Sequence, residues 1–121
     1  MNRHLFVYGT LRPGDVRWSF LEPFAADGGV DDTALGRLYD TGLDYPAAVF
    51  EGDGTILGRT YALRVDLLER ALAVLDEEED TVLGLYRRVE ITTGRGLVAW
   101  AYEYGDGLDL TPIESGDWFT R

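Results

Sequence analysis

The chain has 121 residues, of which 45% are hydrophobic and 27% charged, and this composition predicts one globular domain, 1–121. The formal net charge of −11 argues against nucleic acid and anionic membrane surfaces as partners, because phosphate groups need a basic surface. With no cysteine and a single histidine, the sequence excludes disulfides, thiol nucleophiles and a histidine-rich metal site, so catalysis would rely on carboxylates, tyrosines, arginines and backbone amides.

The first predicted element is a buried strand near the N-terminus. The run His4-Leu5-Phe6-Val7-Tyr8 is apolar, aromatic and β-branched, and Gly9 followed by Pro13-Gly14 predicts its exit into a turn. Since Gly9 has no Cβ, the backbone N–H groups around Tyr8–Leu11 could approach a ligand closely and hold a carboxylate. The alternative is an ordinary strand followed by a Pro-Gly turn.

The rest of the chain predicts several short strands and one clear helix. The predicted elements are a short helix or turn (15–24), a loop (25–32), a strand (33–39), a turn (42–46), an extended segment (46–50), a hairpin turn (51–54), a strand (55–63), a helix (64–80), a strand pair (85–93 and 96–104) and a turn after a short strand (113–118). Many short strands with one helix predict a small α+β domain whose sheet curls toward a barrel.

One acid at the end of the predicted helix lies on its apolar face. Leu68, Leu72 and Leu75 recur at helical spacing and form a stripe that faces the core. At about 100° per residue, Glu79 falls within about 20° of Leu68, whereas Glu77 points about 180° away, into solvent. If the helix continues that far, Glu79 is the one carboxylate of the acidic run that is directed toward the core.

A carboxylate in such a position has chemical consequences. Burial of a carboxyl group raises its pKa toward neutrality, which suits a general acid or base. Alternatively, Glu79 forms a structural ion pair with Arg87 or Arg88, or the helix ends before it. Metal binding by the run 77–80 is rejected, because its members point to opposite faces of the helix. Downstream, Tyr86 either offers its hydroxyl to a ligand or packs with the hydroxyl at the rim of the sheet.

Seven segments, in their order and spacing, carry a family pattern. They are Phe6-Val7-Tyr8-Gly9-Thr10-Leu11-Arg12-Pro13-Gly14, Gly36-Arg37-Leu38-Tyr39, Tyr45-Pro46-Ala47, Gly58-Arg59-Thr60-Tyr61, Leu75-Asp76-Glu77-Glu78-Glu79, Tyr86-Arg87-Arg88 and Ser115-Gly116-Asp117-Trp118. Together they resemble the gamma-glutamylcyclotransferase-like family, with the closest pattern in its gamma-glutamylamine cyclotransferase branch. The resemblance implies an α+β fold built as a small mixed β-barrel flanked by helices.

The resemblance also implies a reaction and a site. The substrate would be a γ-glutamyl compound whose α-carboxylate is held by the backbone amides of Gly9, Thr10 and Leu11. Glu79 would be the catalytic residue, moving a proton from the α-ammonium to the departing amine while the α-amine closes a ring. The products would be 5-oxoproline and a free amine, and no metal or organic cofactor would be required.

The substrate-binding residues implied by the pattern include Tyr8 and Tyr86 as well as the three residues after Tyr8. Asp80 departs from the family pattern, in which a small residue often follows the glutamate. Three acids beside Glu79 disfavour an anionic substrate tail, so a γ-glutamyl amine is expected rather than a glutathione derivative.

Two other functions remain open from the sequence. The first alternative is a non-catalytic module that binds an amino-acid-like ligand on the same fold, and the second is a structural or interaction domain. A cytoplasmic location is expected, because the N-terminus lacks the pattern of a secretory signal and no apolar run approaches the roughly 18 residues of a membrane span.

Overall fold

The computed structural model describes residues 2–9, 18–41, 46–83, 86–104 and 111–120, with only the backbone described for 78–83 and 120. Its elements are β1 (His4–Val7), α1 (Trp18–Leu21), a 3₁₀ turn (Glu22–Phe24), β2 (Val30–Leu35), β3 (Arg37–Asp40), β4 (Pro46–Val49), β5 (Thr55–Ala62), a 3₁₀ turn (Val65–Leu67), α2 (Leu68–Leu83), β6 (Tyr86–Thr92), β7 (Val98–Tyr104), β8 (Thr111–Pro112) and a 3₁₀ turn (Trp118–Thr120). None of the helices in these ranges has the length and apolar character needed to cross a membrane.

Strand β1 lies at the centre of the larger of two sheets. That sheet has the order β2-β5-β1-β7-β6, and the smaller sheet has the order β4-β3-β8. β1 pairs antiparallel with β5 and parallel with β7, where Leu5 faces Trp100. Its side chains are buried on both faces, with Leu5 and Val7 in one core cluster and Phe6 in the other. The predicted buried strand is therefore confirmed.

The predicted strand 33–39 is wrong, because two strands of different sheets occupy this segment. Gly36 separates β2 from β3 and has φ of +149°, and a Cβ there would lie 2.3 Å from the carbonyl oxygen of Val49. Only glycine adopts such a conformation at little cost, so the chain leaves one sheet and enters the other at this residue. The predicted loop 25–32 is also too long, since β2 begins at Val30.

Helix α2 packs its apolar stripe against the larger sheet. Leu68, Leu72 and Leu75 are buried in a cluster that also contains Leu5 of β1 and Tyr102 of β7. This periodic burial is what makes an amphipathic helix stable in this segment, where isolated helical propensity would not suffice. The predicted helix is confirmed, and its α-helical part continues to residue 83, so the alternative that it ends before Glu79 is wrong.

The larger sheet curls toward a barrel without closing. In the described part of the chain no sheet is continuous around a ring. The turn between β6 and β7 instead reaches the edge strand β2, where Gly94 N donates to the carbonyl oxygen of Thr33 at 2.8 Å. Arg95 N also donates to Asp32 Oδ1 at 3.1 Å. The α+β class and the helices flanking the sheets are confirmed, while the expected barrel is approached only through these contacts.

Candidate active site

The exit of β1 is fixed by the hydroxyl group of Tyr8. This side chain is buried, and its hydroxyl donates a hydrogen bond to the carbonyl oxygen of Tyr102 in β7. Its ring meets Phe50 edge to face, with the ring centroids 6.1 Å apart. Strong burial together with a satisfied hydroxyl holds the last residue before Gly9 in one place.

Gly9 and Tyr86 both contact Pro46, the first residue of β4. A Cβ on Gly9 would lie 3.0 Å from Cγ of Pro46, and the hydroxyl of Tyr86 donates to the carbonyl oxygen of Pro46. The ring of Tyr86 is half-buried and meets its cross-strand partner Tyr104 edge to face at 5.8 Å. Gly9 and Tyr86 are 77 positions apart in the sequence, and both contact Pro46 of the smaller sheet.

Helix α2 is tied to the larger sheet one turn before Glu79. Asp76 Oδ1 accepts a hydrogen bond of 2.7 Å from the hydroxyl of Tyr102 and another of 2.8 Å from Arg88 Nε. Tyr102 therefore contacts two parts of the chain. Its carbonyl oxygen accepts a hydrogen bond from Tyr8, and its hydroxyl donates one to Asp76 of α2. Glu79 follows Asp76 by three residues within the same helix.

The two arginines considered as ion-pair partners of Glu79 bind other carboxylates. Arg88 pairs with Asp76, and Arg87 Nη2 lies 2.6 Å from Glu103 Oε1 on the opposite face of the sheet. Glu103 is buried, and its second oxygen accepts a hydrogen bond of 2.9 Å from the backbone N–H of Phe50. Arg87 therefore joins β6 to β7 and, through Glu103, to the segment after β4, whereas Arg88 joins β6 to α2.

Part of the predicted site falls outside this description. Thr10, Leu11 and the side chain of Glu79 lie outside the described residues, so their roles stay predictions. Tyr8, Gly9 and Tyr86 are described, and each contacts an element other than its own.

Sequence reasoning missed three residues that contact predicted site residues or join α2 to the larger sheet. Pro46, Asp76 and Tyr102 were given no role in the site, although two of them stand in the quoted segments. Their contacts join residues 26 to 94 positions apart, and local periodicity carries no signal over such separations. For Asp76 the sequence offered two hints, its position beside the buried helical stripe and its place in the quoted segment 75–79.

A separate cleft of about 540 Å³ lies where the β6–β7 turn meets β2 and β5. Its walls include Asp31, Asp32 and Arg95, and none of the predicted site residues lines it. All three acids of the cleft among the described residues have partners: Asp31 pairs with Arg59 at 2.8 Å, Asp32 accepts hydrogen bonds from the backbone N–H groups of Thr33 and Arg95, and Asp117 accepts one from that of Phe119. Within the described ranges, no group of three or more histidine or acidic side chains is placed to hold a metal ion.

Comparison with known proteins identifies relatives along the whole chain. The family model described as "Gamma-glutamyl cyclotransferase, AIG2-like" matches residues 5–120. A protein of Vibrio cholerae named "Putative gamma-glutamylcyclotransferase" is 39% identical over 122 residues, which cover 100% of this chain and 99% of the relative. The match therefore extends over nearly the full length of both sequences.

Solved structures share the fold. An uncharacterized protein of Pyrococcus horikoshii matches with a TM-score of 0.71 and 28% identity, over 97% of this chain and 90% of that one. The solution structure of ytfP from Escherichia coli matches with a TM-score of 0.60 and 36% identity, over 95% of each chain. These similarities confirm the arrangement of sheets and helices.

Proposed function

The chain belongs to the gamma-glutamyl cyclotransferase, AIG2-like family, and we propose that it releases 5-oxoproline and a free amine from a γ-glutamyl amine or amide. The observation that carries the proposal is that Tyr102 makes two hydrogen bonds, one to each part of the proposed site. Its carbonyl oxygen holds Tyr8 at the exit of β1, and its hydroxyl holds Asp76 in the helix that contains Glu79. A single residue thus links the proposed binding loop to the element that bears the proposed acid.

In the proposed complex, the backbone N–H groups of Gly9, Thr10 and Leu11 bind the α-carboxylate of the substrate. Amide donors at the exit of a strand suit an anion without requiring a basic side chain. Tyr8 and Tyr86 line the substrate. Their hydroxyls donate to backbone carbonyl oxygens, which supports rigid walls on both sides of Gly9.

Glu79 moves the protons in the proposed reaction. As a carboxylate it takes a proton from the α-ammonium, and the resulting amine attacks the γ-carbonyl carbon to form the ring C–N bond. The tetrahedral intermediate loses a second proton from the same nitrogen, and the bond from the γ-carbon to the departing nitrogen breaks. Both protons end on the departing nitrogen, which leaves as an ammonium, while the ring keeps one N–H as 5-oxoproline.

Most of the acceleration in this proposal comes from holding a reactive conformer. Ring closure is intramolecular, and well-oriented intramolecular reactions reach effective molarities of about 10⁵–10⁸ M. Proton transfer by one positioned carboxylate adds about 10²–10⁴-fold. The reaction needs no redox step, which agrees with a site made of amides, tyrosines and a carboxylate.

The charge of the chain favours a substrate whose amine part carries no carboxylate. Glu77 and Asp80 flank Glu79 along with Glu78, and the chain as a whole carries a formal charge of −11. Such a field repels an anionic tail and attracts a neutral or cationic one. We therefore infer γ-glutamyl amines as substrates ahead of peptides derived from glutathione.

The proposal is tested with matched substrates. A γ-glutamyl amine is incubated with the protein beside its α-glutamyl isomer and its N-acetylated form, and 5-oxoproline, glutamate and free amine are measured. We expect equal amounts of 5-oxoproline and amine from the γ-glutamyl amine alone, because the isomer has no γ-amide and the acetylated form has no free nucleophile.

Two other results would overturn the proposal. Release of glutamate in place of 5-oxoproline would identify a hydrolase. Binding of γ-glutamyl amines without turnover of any member of a broad panel would identify the non-catalytic binding module.

A further inference from the structure

The carboxylate of Asp76 joins α2 to two strands at once. Its Oδ1 accepts hydrogen bonds from Tyr102 of β7 at 2.7 Å and from Arg88 of β6 at 2.8 Å. The side chains of Asp76 and Arg88 are 42% and 26% exposed, so the ion pair is partly shielded from solvent. A partly buried pair that also receives a second hydrogen bond is stronger than an exposed surface pair.

On the strand side of this contact, Arg88 is supported by an aromatic ring. The guanidinium carbon of Arg88 lies 4.4 Å from the ring centroid of Trp100, and the indole N–H of Trp100 donates to the carbonyl oxygen of Asn2 at 2.8 Å. Stacking on an aromatic ring fixes the plane of the guanidinium group. Arg88 therefore stacks on Trp100 and at the same time binds Asp76.

The helix needs such an anchor at this point. Leu75 is the last member of the buried stripe among the described side chains, and four acidic residues follow Asp76 without a basic residue in the last turn. Negative charge near a helix C-terminus opposes the helix dipole, and like charges three or four residues apart repel each other. The salt bridge to Arg88 offsets this repulsion where the acidic run begins.

We propose that Asp76 is a positioning residue, which fixes the last turns of α2 on β6 and β7 and thereby sets the place of Glu79 relative to the loop after β1. The inference rests on the proposed function for its catalytic consequence. Its structural consequence is independent of that function, because it concerns the order of the helix end. In this proposal Asp76 acts on the reaction through Glu79 and not through the substrate.

The test compares Asp76→Asn with Asp31→Asn. The control makes the same chemical change in a pair of the same length, since Asp31 Oδ1 lies 2.8 Å from Arg59 Nη1 at the separate cleft. Both variants are assayed for kcat and KM on a γ-glutamyl amine, and amide hydrogen exchange is measured over residues 76–83. Tyr102→Phe is a second, milder variant that removes one hydrogen bond and leaves the ion pair.

For Asp76→Asn we expect kcat to fall by about 10- to 100-fold, the range caused by an error of about 1 Å in placing a catalytic group. KM should change by less than about twofold, because the amide donors after β1 are untouched. Exchange over 76–83 should accelerate in Asp76→Asn, accelerate less in Tyr102→Phe and stay unchanged in Asp31→Asn.

The outcomes separate the two proposals. Turnover by the unaltered protein with an unchanged kcat in Asp76→Asn would overturn the positioning role and leave the proposed function intact. No turnover by the unaltered protein would overturn the function and the catalytic consequence together. In that case unchanged exchange in Asp76→Asn would also overturn the anchoring role, whereas faster exchange would support it.

Discussion

Gly9 and Pro46 approach so closely that a Cβ on Gly9 would lie 3.0 Å from Cγ of Pro46 and 3.2 Å from its Cδ. The carbonyl oxygen of the same proline accepts a hydrogen bond from Tyr86. Packing against β4 therefore leaves little room for a side chain at Gly9, in addition to any role of its backbone in binding a ligand. A substitution at Gly9 that displaces Pro46 should therefore also disturb the hydrogen bond between Tyr86 and Pro46.

Gly9→Ala should impair both stability and substrate binding. The added methyl group forces Pro46 to shift by a few tenths of an ångström, and overpacking of this kind costs about 1–3 kcal/mol. We expect a lower free energy of unfolding in urea and a higher KM for the γ-glutamyl amine.

Gly28→Ala is the matched control for this change, since a Cβ there would meet nothing within 4 Å. It should leave both quantities unchanged within error. A normal KM and stability in Gly9→Ala would contradict the structural requirement placed on Gly9.

The elements that could be predicted from sequence are those whose pattern of hydrophobic residues is visible within one short segment. The buried run of β1, the leucine stripe of α2 and the β6–β7 strand pair all follow from spacing within a single segment. The break at Gly36 could not be predicted from spacing, because the close approach of the Val49 carbonyl oxygen to this residue is a contact between distant segments. The positive φ at this residue leaves no mark on the hydrophobic pattern.

The candidate site divides in the same way. Glu79 was singled out by helical geometry, and the helix does extend through it, while its catalytic role stays a prediction. The contact of Tyr8 with Tyr102 and that of Tyr102 with Asp76 could not be predicted, because they depend on how three elements meet. The pairing of the first loop with the helix end is implied by the family resemblance alone, and it stays a prediction.

Asp32 is a second residue whose role appears only in three dimensions. Burial alone would raise the pKa of its carboxyl group, but four hydrogen bonds to the charged form outweigh burial and lower the pKa below its ordinary value of 3.8. They come from the side chains of Thr93 and Thr60 and from the backbone N–H groups of Thr33 and Arg95. The ionised carboxylate thus joins β2 to β5 and to the β6–β7 turn.

The stability of the protein should fall in acid through Asp32. Since the folded pKa is the lower one, the contribution is fully present above the ordinary value of 3.8 and is lost as the pH falls through the folded value. We expect Asp32→Asn to be less stable than the unaltered protein at pH 7 by about 1–3 kcal/mol. Between pH 5 and pH 2, the stability of Asp32→Asn should change less than that of the unaltered protein, because asparagine has no carboxyl group to protonate.

Urea unfolding across this pH range measures both effects. Asp31→Asn again serves as the control, because the Asp31 side chain is 82% exposed. Equal acid sensitivity of Asp32→Asn and the unaltered protein would rule out this carboxylate as a source of acid lability.

Leu75→Ala should destabilise the protein strongly. Leu75 is fully buried between α2 and the larger sheet, and truncation of a buried leucine to alanine costs about 2–5 kcal/mol. Val65→Ala, at a residue 63% exposed, should change the free energy of unfolding by less than about 0.5 kcal/mol. Similar unfolding midpoints for the two variants would show that the helix does not depend on its apolar stripe.

The central claim, that Glu79 moves the protons of a cyclotransferase reaction, is tested most directly by comparing Glu79→Gln with Glu77→Gln. Both substitutions remove one negative charge from the same helix, and Glu77 is exposed. The measured quantity is the rate of 5-oxoproline release from a γ-glutamyl amine at saturating substrate. We expect Glu79→Gln to lose at least about 100-fold in kcat and Glu77→Gln to stay within about twofold. Equal activity of the two variants would contradict the account, because the acid of α2 would then have no part in the reaction.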